Sequence, residues 1–220
     1  MKRVLITGTS SGIGKATAKL FVEKGFEVVG IDILPATLHL ARYTHIEADV
    51  GIDFELPELG EFDFVINNAG TINEERAIQT NLIGYINIVE KYVTAKTQAL
   101  TNVASISGHV GLDTPRYAAS QGGRLAYTKH LAITLGKKWK TRVNSVSPGA
   151  VLSGLEPNLY KDEDLLARVA DEGLLKKWIM PEEIANWLYF VTVVNESMTG
   201  QDILIDNGEV ANYNFIESRK

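Results

Sequence analysis

The sequence predicts a single α/β domain with a doubly wound, mainly parallel sheet of seven strands and helices on both faces. Short, continuous apolar runs alternate with helical patterns along the 220 residues, as in sheets buried on both faces. The first run, Val4 to Ile6, passes at once into a glycine-rich turn and then into a helix. A strand, a turn and a helix N-terminus in this order form the arrangement that binds a pyrophosphate.

The amino-acid composition excludes several kinds of partner and binding site. The net charge of −5 gives no reason to expect nucleic acid or an anionic membrane as partner. Without cysteine there is no disulfide, and the four histidines show no metal-binding pairing, so we expect no metal site. No apolar run reaches membrane-spanning length, and the first strand begins by about residue 3, which leaves no room for a signal peptide. We therefore expect a cytoplasmic protein.

The turn after the first strand reads Thr7-Gly-Thr-Ser-Ser-Gly-Ile-Gly14. A P-loop would need glycine at Thr9 and a hydroxyl residue at Ala16. The five residues from Gly8 to Gly12 also spell a nucleophile elbow, but that elbow follows a strand deep inside a sheet. A dinucleotide turn is the better interpretation, and its expected contacts are Gly8, Ser10, Ser11, Gly12, Ile13 and Gly14.

The second strand, Glu27 to Asp32, ends in an acid eighteen residues after Gly14. A carboxylate there can accept hydrogen bonds from both hydroxyls of an adenosine ribose and would repel a 2′-phosphate. Ser11 carries no positive charge that could hold such a phosphate. Asp32 therefore favours NAD over NADP, the alternative being a solvated acid in a turn.

Five further strands follow. The third covers Thr44 to Val50, and the link before it, 33–43, has room for two or three helical turns. The fourth, Phe62 to Ile66, runs into Asn67-Asn-Ala-Gly70, where small residues admit a close ligand and the amides can lock adjacent turns. The fifth, sixth and seventh strands are expected at 99–105, 142–146 and within 199–208.

Together these motifs resemble the short-chain dehydrogenase/reductase family from about residue 3 to residue 208. The resemblance implies a Rossmann-like fold, NAD as cofactor, and hydride transfer between nicotinamide and a small alcohol or carbonyl substrate. It assigns residues 1–208 to one cofactor-binding domain and leaves 209–220 as a tail. The further cofactor contacts that it implies are Asp49, Val50, Asn68, Ala69, Gly70, Pro148, Gly149, Val151 and Ser153.

The resemblance also implies catalytic roles. Asn102-Val-Ala-Ser105-Ile-Ser-Gly108 is similar to the family's N-x-x-S-x-x-G, which makes Ser105, rather than Ser107, the residue that orients the substrate. Tyr117, at the start of a long helix, corresponds to the general acid, and Asn81 to the residue that holds a relay water. The alternative for Asn81 is a helix-interior residue that bonds locally.

Two departures from the family pattern stand out. Gln121 occupies the position of the family's active-site lysine, four residues after Tyr117. Gln121 can still bond the nicotinamide ribose but supplies no charge to lower the pKa of a tyrosine. Arg124 lies about 10 Å along the helix and would have to fold back, Lys129 is farther away, and His109 is a loop residue, so none is a convincing substitute.

The second departure is a short connection of ten residues between Gly70 and Asn81, which trims one wall of the cleft. Two hypotheses stay open: an NAD-dependent oxidoreductase with reduced activity, or a dinucleotide-binding sensor or structural partner with little or no turnover. If the first holds, Gln121→Lys is expected to raise turnover.

The substrate lid and the oligomer interface follow from the resemblance alone. A lid is expected at about 154–180, where apolar residues either line the cleft or simply pack short helices: Leu155, Leu159, Leu165, Leu166, Val169, Leu174, Leu175 and Trp178. A homodimer or homotetramer is expected through helices at about Gln79–Lys96 and Tyr117–Lys138. Its candidate face, unless some residues belong to the core, is Tyr85, Ile86, Val89, Leu125, Tyr127 and Leu131.

Overall fold

A computed structural model describes residues 1–52, 56–153 and 162–212. It confirms the doubly wound fold: seven parallel strands lie in the order β3-β2-β1-β4-β5-β6-β7. The strands are β1 (Arg3–Thr7), β2 (Glu27–Asp32), β3 (Tyr43–Glu47), β4 (Phe64–Asn67), β5 (Ala99–Val103), β6 (Arg142–Pro148) and β7 (Asp202–Ile205). The order reverses between β1 and β4, and ligands of such sheets bind at the carboxyl edge beside that reversal.

Six α-helices cover the two faces of the sheet in the described residues. They are α1 (Gly12–Glu23), α2 (Gly84–Tyr92), α3 (Ser107–Val110), α4 (Pro115–Trp139), α5 (Glu163–Glu172) and α6 (Pro181–Tyr189). Two π-helical segments, Gln79–Ile83 and Phe190–Val194, adjoin α2 and α6. The helix expected from Gln79 thus begins as a π segment and ends at Tyr92, where Val93 adopts an extended backbone.

The core consists of two apolar layers, one on each face of the sheet. Val4, Leu5 and Ile6 are fully buried because β1 lies at the centre of the sheet. Leu5 packs toward α2 and α4, whereas Val4 and Ile6 pack with Phe21 and Leu188 of α1 and α6. The continuous apolar run noted in the sequence is therefore explained by burial on both faces.

The link between β2 and β3 has room for about two or three helical turns but contains no helix. Residues 35–40 have no regular structure. The Ser10 hydroxyl donates to the carbonyl oxygens of Leu34 (3.1 Å) and Pro35 (2.9 Å), and the Thr37 hydroxyl donates to the Ser10 carbonyl (2.7 Å). Carbonyls that would begin a helix are engaged with the glycine-rich turn, and proline disfavours helical geometry in the residue before it.

Several element ends differ from the sequence expectation. β3 ends at Glu47, so Asp49 and Val50 lie in the following turn, and β6 continues to Pro148. Three residues of the candidate oligomer face belong to the core: Tyr85, Val89 and Leu131 are buried among the sheet and helices. Ile86, Leu125 and Tyr127 are partly exposed.

Candidate active site

A cavity of about 750 Å³ opens at the carboxyl edge of the sheet, on both sides of the β1–β4 reversal. Its size is within the range of pockets that hold a dinucleotide or a substrate. Most residues predicted from the sequence line it, and they come from the turns after six of the strands. These lining residues are Gly8, Ser11, Ile13, Asp32, Asp49, Val50, Asn68, Ala69, Gly70, Ser105, Tyr117, Gln121, Pro148, Gly149, Val151 and Ser153.

The turn between β1 and α1 is so tightly packed that two of its positions have no space for a side chain. Gly8 has a φ of +77°, and a Cβ there would come within 2.7 Å of the Asn68 amide. A Cβ on Gly14 would overlap the Gly8 carbonyl. Side chains at these two positions would collide with protein atoms, so glycine permits the tight turn before the N-terminus of α1, an arrangement that fits a pyrophosphate.

Asp32 is nearly buried at the end of β2, where each carboxylate oxygen accepts one backbone hydrogen bond. Oδ2 accepts from the Ser10 N–H (2.8 Å) and Oδ1 from the Leu34 N–H (2.9 Å). Both oxygens retain lone pairs, and the carboxylate lines the cavity. Asp32 is therefore placed to accept hydrogen bonds from the hydroxyl groups of a ribose.

Asp49 lies at the same end of the cavity and is fixed by two contacts. Its Oδ1 accepts from the Gly51 N–H (2.9 Å), and its Oδ2 pairs with the Arg76 guanidinium. Arg76 also lines the cavity and was not predicted from the sequence. It comes from the short connection between Gly70 and Asn81, where a lone arginine gave no motif signal.

The Asn67–Gly70 turn is locked to β1. The Thr7 hydroxyl accepts from the N–H groups of Asn68 and Ala69 (both 2.9 Å), while the Asn68 side-chain amide donates to the Thr7 carbonyl (2.9 Å). The Asn67 amide donates to the Tyr85 carbonyl (3.1 Å). The asparagines do lock adjacent turns, as expected, and they hold this wall of the cavity in place.

Ser105 begins a chain of hydroxyl groups. It donates to the Ser107 hydroxyl (3.2 Å), which in turn donates to the Asp113 carboxylate. The Ser107 N–H donates to Ser105 Oγ (3.2 Å), so the position of that oxygen is fixed while its proton can rotate toward a ligand. Ser107 and Asp113 also line the cavity, and no sequence motif pointed to Asp113.

Tyr117 lies in the first turn of α4, as the sequence predicted. Thr114 is the N-cap and Pro115 the first helical residue. Glu74, from the short connection, accepts from the Arg116 N–H (3.0 Å) and so caps the helix from outside. A hydrogen bond from the Thr114 side chain, with backbone N–H groups of Arg116 and Tyr117, lowers the pKa of Glu74.

Arg124 folds back onto Gln121, contrary to the sequence expectation. Its Nη1 donates to Gln121 Oε1 (3.1 Å), and both side chains are buried and line the cavity. The guanidinium also donates to three backbone carbonyl oxygens. Nε donates to the carbonyl of Asn81 (2.5 Å), Nη1 donates to that of Val103 (2.8 Å), and Nη2 donates to that of Ala69 (3.2 Å). The length of the extended side chain allows this return, which an estimate from helical rise alone missed.

Asn81 lies in the π-helical segment, a conformation frequent at functional sites. Its side chain bonds Thr71 N and O (2.8 and 2.9 Å) and donates to the Ser120 hydroxyl (3.2 Å). The side chain therefore joins the residue after Gly70 to α4 rather than bonding within its own helix, and Asn81 does not line the cavity. Its carbonyl oxygen is bonded by Arg124, so its role in a relay remains a prediction.

Glu209 forms part of the wall beside Pro148 and Gly149. Its Oε1 accepts from the Ala150 N–H (2.9 Å). Burial raises the pKa of Glu209, against the effect of that backbone hydrogen bond. This contact holds Glu209 against the domain, and a glutamate directly after a glycine offered no sequence signal for this position.

The described part of the lid contributes apolar residues to the cavity. Leu165, Val169 and Trp178 line it, and the Trp178 indole N–H donates to the Leu166 carbonyl (2.9 Å). Leu174 and Leu175 are exposed. Leu155 and Leu159 lie outside the described residues.

Four predicted site residues support the cavity from behind. Ser10 holds Asp32 and the β2–β3 link, Gly12 packs against Ser153, and Gly14 packs against Gly8. Asn81 is the fourth. His109 does not reach the cavity, because its Nε2 bonds Asp202 Oδ2 (2.8 Å) on β7.

No group of three or more metal-binding side chains occurs within residues 1–52, 56–153 and 162–212. In the same ranges, no helix is both long enough and apolar enough to cross a membrane.

Comparison with known proteins identifies relatives over almost the whole chain. The family model described as enoyl-(acyl carrier protein) reductase matches residues 8–209. The chain is 30% identical to the 3-oxoacyl-[acyl-carrier-protein] reductase of Thermotoga maritima, over 95% of this chain and 98% of that protein.

Two solved structures extend the comparison. A short-chain dehydrogenase family protein from Francisella tularensis superposes with a TM-score of 0.87 at 26% identity, covering 96% of this chain and 99% of that one. A 4-hydroxyisoleucine dehydrogenase complexed with NADH gives a TM-score of 0.84 at 25% identity, covering 97% and 100%. With the sheet order, the glycine-rich turn and Tyr117 on α4, these matches show that the chain belongs to the short-chain dehydrogenase/reductase family of oxidoreductases.

Proposed function

We propose that this protein transfers a hydride between NAD(H) and a small alcohol or carbonyl substrate. One observation carries the proposal: Ser105, Tyr117 and Gln121 open onto the same cavity as the glycine-rich turn and Asp32. A site for proton transfer and a site for a dinucleotide are thus continuous. When bound, the nicotinamide supplies the hydride acceptor or donor.

The protein's own residues would divide the remaining work. Ser105 turns its hydroxyl proton toward the substrate oxygen and stabilises negative charge there. Tyr117 takes the proton of an alcohol, or gives one to a carbonyl, within hydrogen-bonding reach. Leu165, Val169 and Trp178 exclude water from the substrate end of the cavity.

Asp32 supports the preference for NAD. A 2′-phosphate would meet its carboxylate, which lies at the cavity wall and is held by two backbone N–H groups. The nearest part of the glycine-rich turn offers hydroxyl groups rather than a cation. Electrostatic repulsion therefore disfavours NADPH.

Turnover below that of relatives with an active-site lysine is expected, because the side chain one helical turn after Tyr117 is a neutral amide. The same substitution favours a second candidate, a dinucleotide-binding sensor or structural partner with little turnover. We also propose a cytoplasmic homodimer or homotetramer, in line with the family resemblance.

Titration with NADH and NADPH, followed by nicotinamide fluorescence, tests the cofactor assignment. NADH should bind more tightly, and Asp32→Ala should reduce the preference by about tenfold or more, the value of a hydrogen bond to a charged group. Glu47→Ala is the matched control, since Glu47 is an exposed carboxylate paired in register with Asp32 on the adjacent strand. Equal binding of NADPH by the unmodified protein would overturn the assignment.

A screen of small alcohols and ketones with the preferred cofactor then separates the two candidates. Substrate-dependent change in NADH absorbance that Tyr117→Phe abolishes supports the oxidoreductase. Tight NADH binding with no turnover across the screen supports the sensor.

A further inference from the structure

Gln121 occupies the lysine position of the family, and its amide has a defined orientation. Gln121 Oε1 lies 3.1 Å from Arg124 Nη1. A guanidinium has only donors, so the amide oxygen must face Arg124 and the amide nitrogen must face away from it. A charge on the oxygen side polarises the amide and strengthens its N–H groups as donors.

Arg124 is a buried cation whose charge is not neutralised locally. Only 3% of the residue is exposed, and no carboxylate within the described ranges forms an ion pair with it. Carbonyl oxygens of Ala69, Asn81 and Val103 satisfy its donors, and the Tyr85 ring covers it at 3.8 Å from the ring centroid. Burying a charge without a counter-ion is costly, so its retention points to a negative charge that forms during function.

The anion that matches this position is ionised Tyr117. Tyr117, Gln121 and Arg124 follow one another at four and three residues on α4, and all three line the cavity. Burial lowers the pKa of Arg124, whereas ionised Tyr85 and Tyr117 would raise it. This coupling is reciprocal, so the guanidinium also favours the ionised form of Tyr117.

Tyr85 is not a competing acid. Its hydroxyl donates to the Val103 carbonyl (2.8 Å) within the core, and burial raises its pKa. The other charged groups facing the cavity are Asp32, Asp49, Arg76, Asp113, Glu172 and Glu209. Arg76 is paired with Asp49, which leaves Arg124 as the unpaired cation of the described cavity wall.

We propose that Arg124, acting through Gln121, supplies from a greater distance part of the positive charge that the missing lysine would provide, and so lowers the pKa of Tyr117. Arg124 is thus a positioning residue with an electrostatic effect, and it does not relay protons because a guanidinium does not deprotonate. The inference rests on the proposed function for its catalytic meaning, but the charge effect can be measured without cofactor.

The test is an ultraviolet titration of tyrosinate in the unliganded protein, with Tyr117→Phe in each background subtracted to isolate Tyr117. Burial raises the pKa of four of the eight tyrosines, Tyr127 to about 12, and the subtraction removes the contribution of every tyrosine other than Tyr117; the four are Tyr43, Tyr85, Tyr92 and Tyr127. Arg124→Met should raise the pKa of Tyr117 by about one unit or more, from a unit charge at roughly 10 Å and an effective dielectric of 20.

Three variants keep the result interpretable. Arg124→Lys retains the charge and should preserve the pKa of Tyr117. Lys129→Met removes an exposed cation from the same helix and should leave it unchanged. If Arg124→Met does not fold, the double variant Gln121→Met with Arg124→Gln removes the charge together with its amide contact, and it should raise the pKa of Tyr117 by a similar amount.

An unchanged pKa of Tyr117 in folded Arg124→Met, or in the double variant, overturns the inference. In an active wild-type enzyme, the acidic limb of the pH profile for oxidation should shift upward with the same variant. If the pKa shifts as expected while the wild type turns over no substrate, the charge assignment stands and the proposed function fails. If the wild type is active and Arg124→Met leaves both pKa and pH profile unchanged, the function stands and the inference fails.

Discussion

Tyr117 is the residue on which the proposed chemistry depends, and its position in the first turn of α4 points it into the cavity beside Ser105. Tyr117→Phe keeps the ring and removes only the hydroxyl group. We expect kcat to fall by about 10²–10⁴, the usual contribution of one general acid–base group, while NADH affinity is retained. Steady-state kinetics with the best substrate of the screen, alongside fluorescence titration, provide the measurement. Undiminished kcat would exclude Tyr117 as the acid.

Gln121→Lys shows how the structure alters a sequence-based expectation. The sequence suggested that lysine would restore a missing charge, but an ammonium at this position would meet the Arg124 guanidinium. An uncompensated buried charge costs about 3–5 kcal/mol, so we expect a lower melting temperature and no gain in turnover. Adding Arg124→Gln should restore the melting temperature. Higher turnover in the single variant would contradict this interpretation.

Most residues that line the cavity could be predicted individually, because steric or charge requirements determine which residue types occur in their motifs. Gly8 and Gly14 must be glycine since backbone or amide atoms occupy the space of a side chain, and Asp32 must end a strand. Arg124 was considered and rejected because helical rise measures the distance between backbones and ignores a long side chain that returns. Glu209, Arg76 and Asp113 were missed because contacts across the fold, rather than local patterns, bring them to the cavity.

At the scale of elements, the short connection between Gly70 and Asn81 stabilises the catalytic helix rather than merely trimming the cleft. Glu74 caps α4 through the Arg116 N–H, and hydrogen bonds lower its pKa in the folded protein. A lowered folded-state pKa means that this stabilisation is present above the unfolded pKa of about 4.3 and is lost as pH falls through the folded value.

Glu74→Gln should therefore lower the melting temperature at pH 7, and the difference from wild type should vanish once the pH has fallen below the folded-state pKa of Glu74. Glu75→Gln, which changes the exposed neighbouring glutamate, is the matched control. Thermal unfolding of all three proteins across this pH range supplies the measurement. A difference that persists at low pH would assign the loss to packing rather than to charge.

Strands were easier to predict than their connections. The apolar runs of β1 and β2 follow directly from burial on both faces. The link before β3 has the length for helical turns, yet the hydroxyl groups of Ser10 and Thr37 fix it to the glycine-rich turn. Competition between a side-chain donor and a helix for the same carbonyl oxygens depends on tertiary structure and is not visible in local sequence.

At the scale of the whole molecule, part of the candidate oligomer face is buried while another group of apolar side chains is exposed. Tyr85, Val89 and Leu131 are in the core. Trp187, Phe190 and Val194, in contrast, are between 41% and 51% exposed on α6 and the π-helical segment that follows it. Exposed apolar side chains grouped in this way favour association with a second copy.

Trp187→Glu combined with Phe190→Glu should reduce the mass of the particle measured by light scattering, without loss of NADH binding, because neither residue lines the cavity. Leu125→Glu, at a partly exposed position of α4, tests the face expected from the sequence. Dissociation by Leu125→Glu alone would assign the interface to the long helices.

The guanidinium of Arg124 has a chemical consequence for a protein that handles carbonyl compounds. An amine beside an aldehyde forms an imine, whereas a resonance-stabilised guanidinium is far less nucleophilic. The described cavity wall contains arginine but no lysine. These walls therefore offer no primary amine to a reactive aldehyde, and coupling the protein to a support through its surface lysines would leave them chemically unaltered.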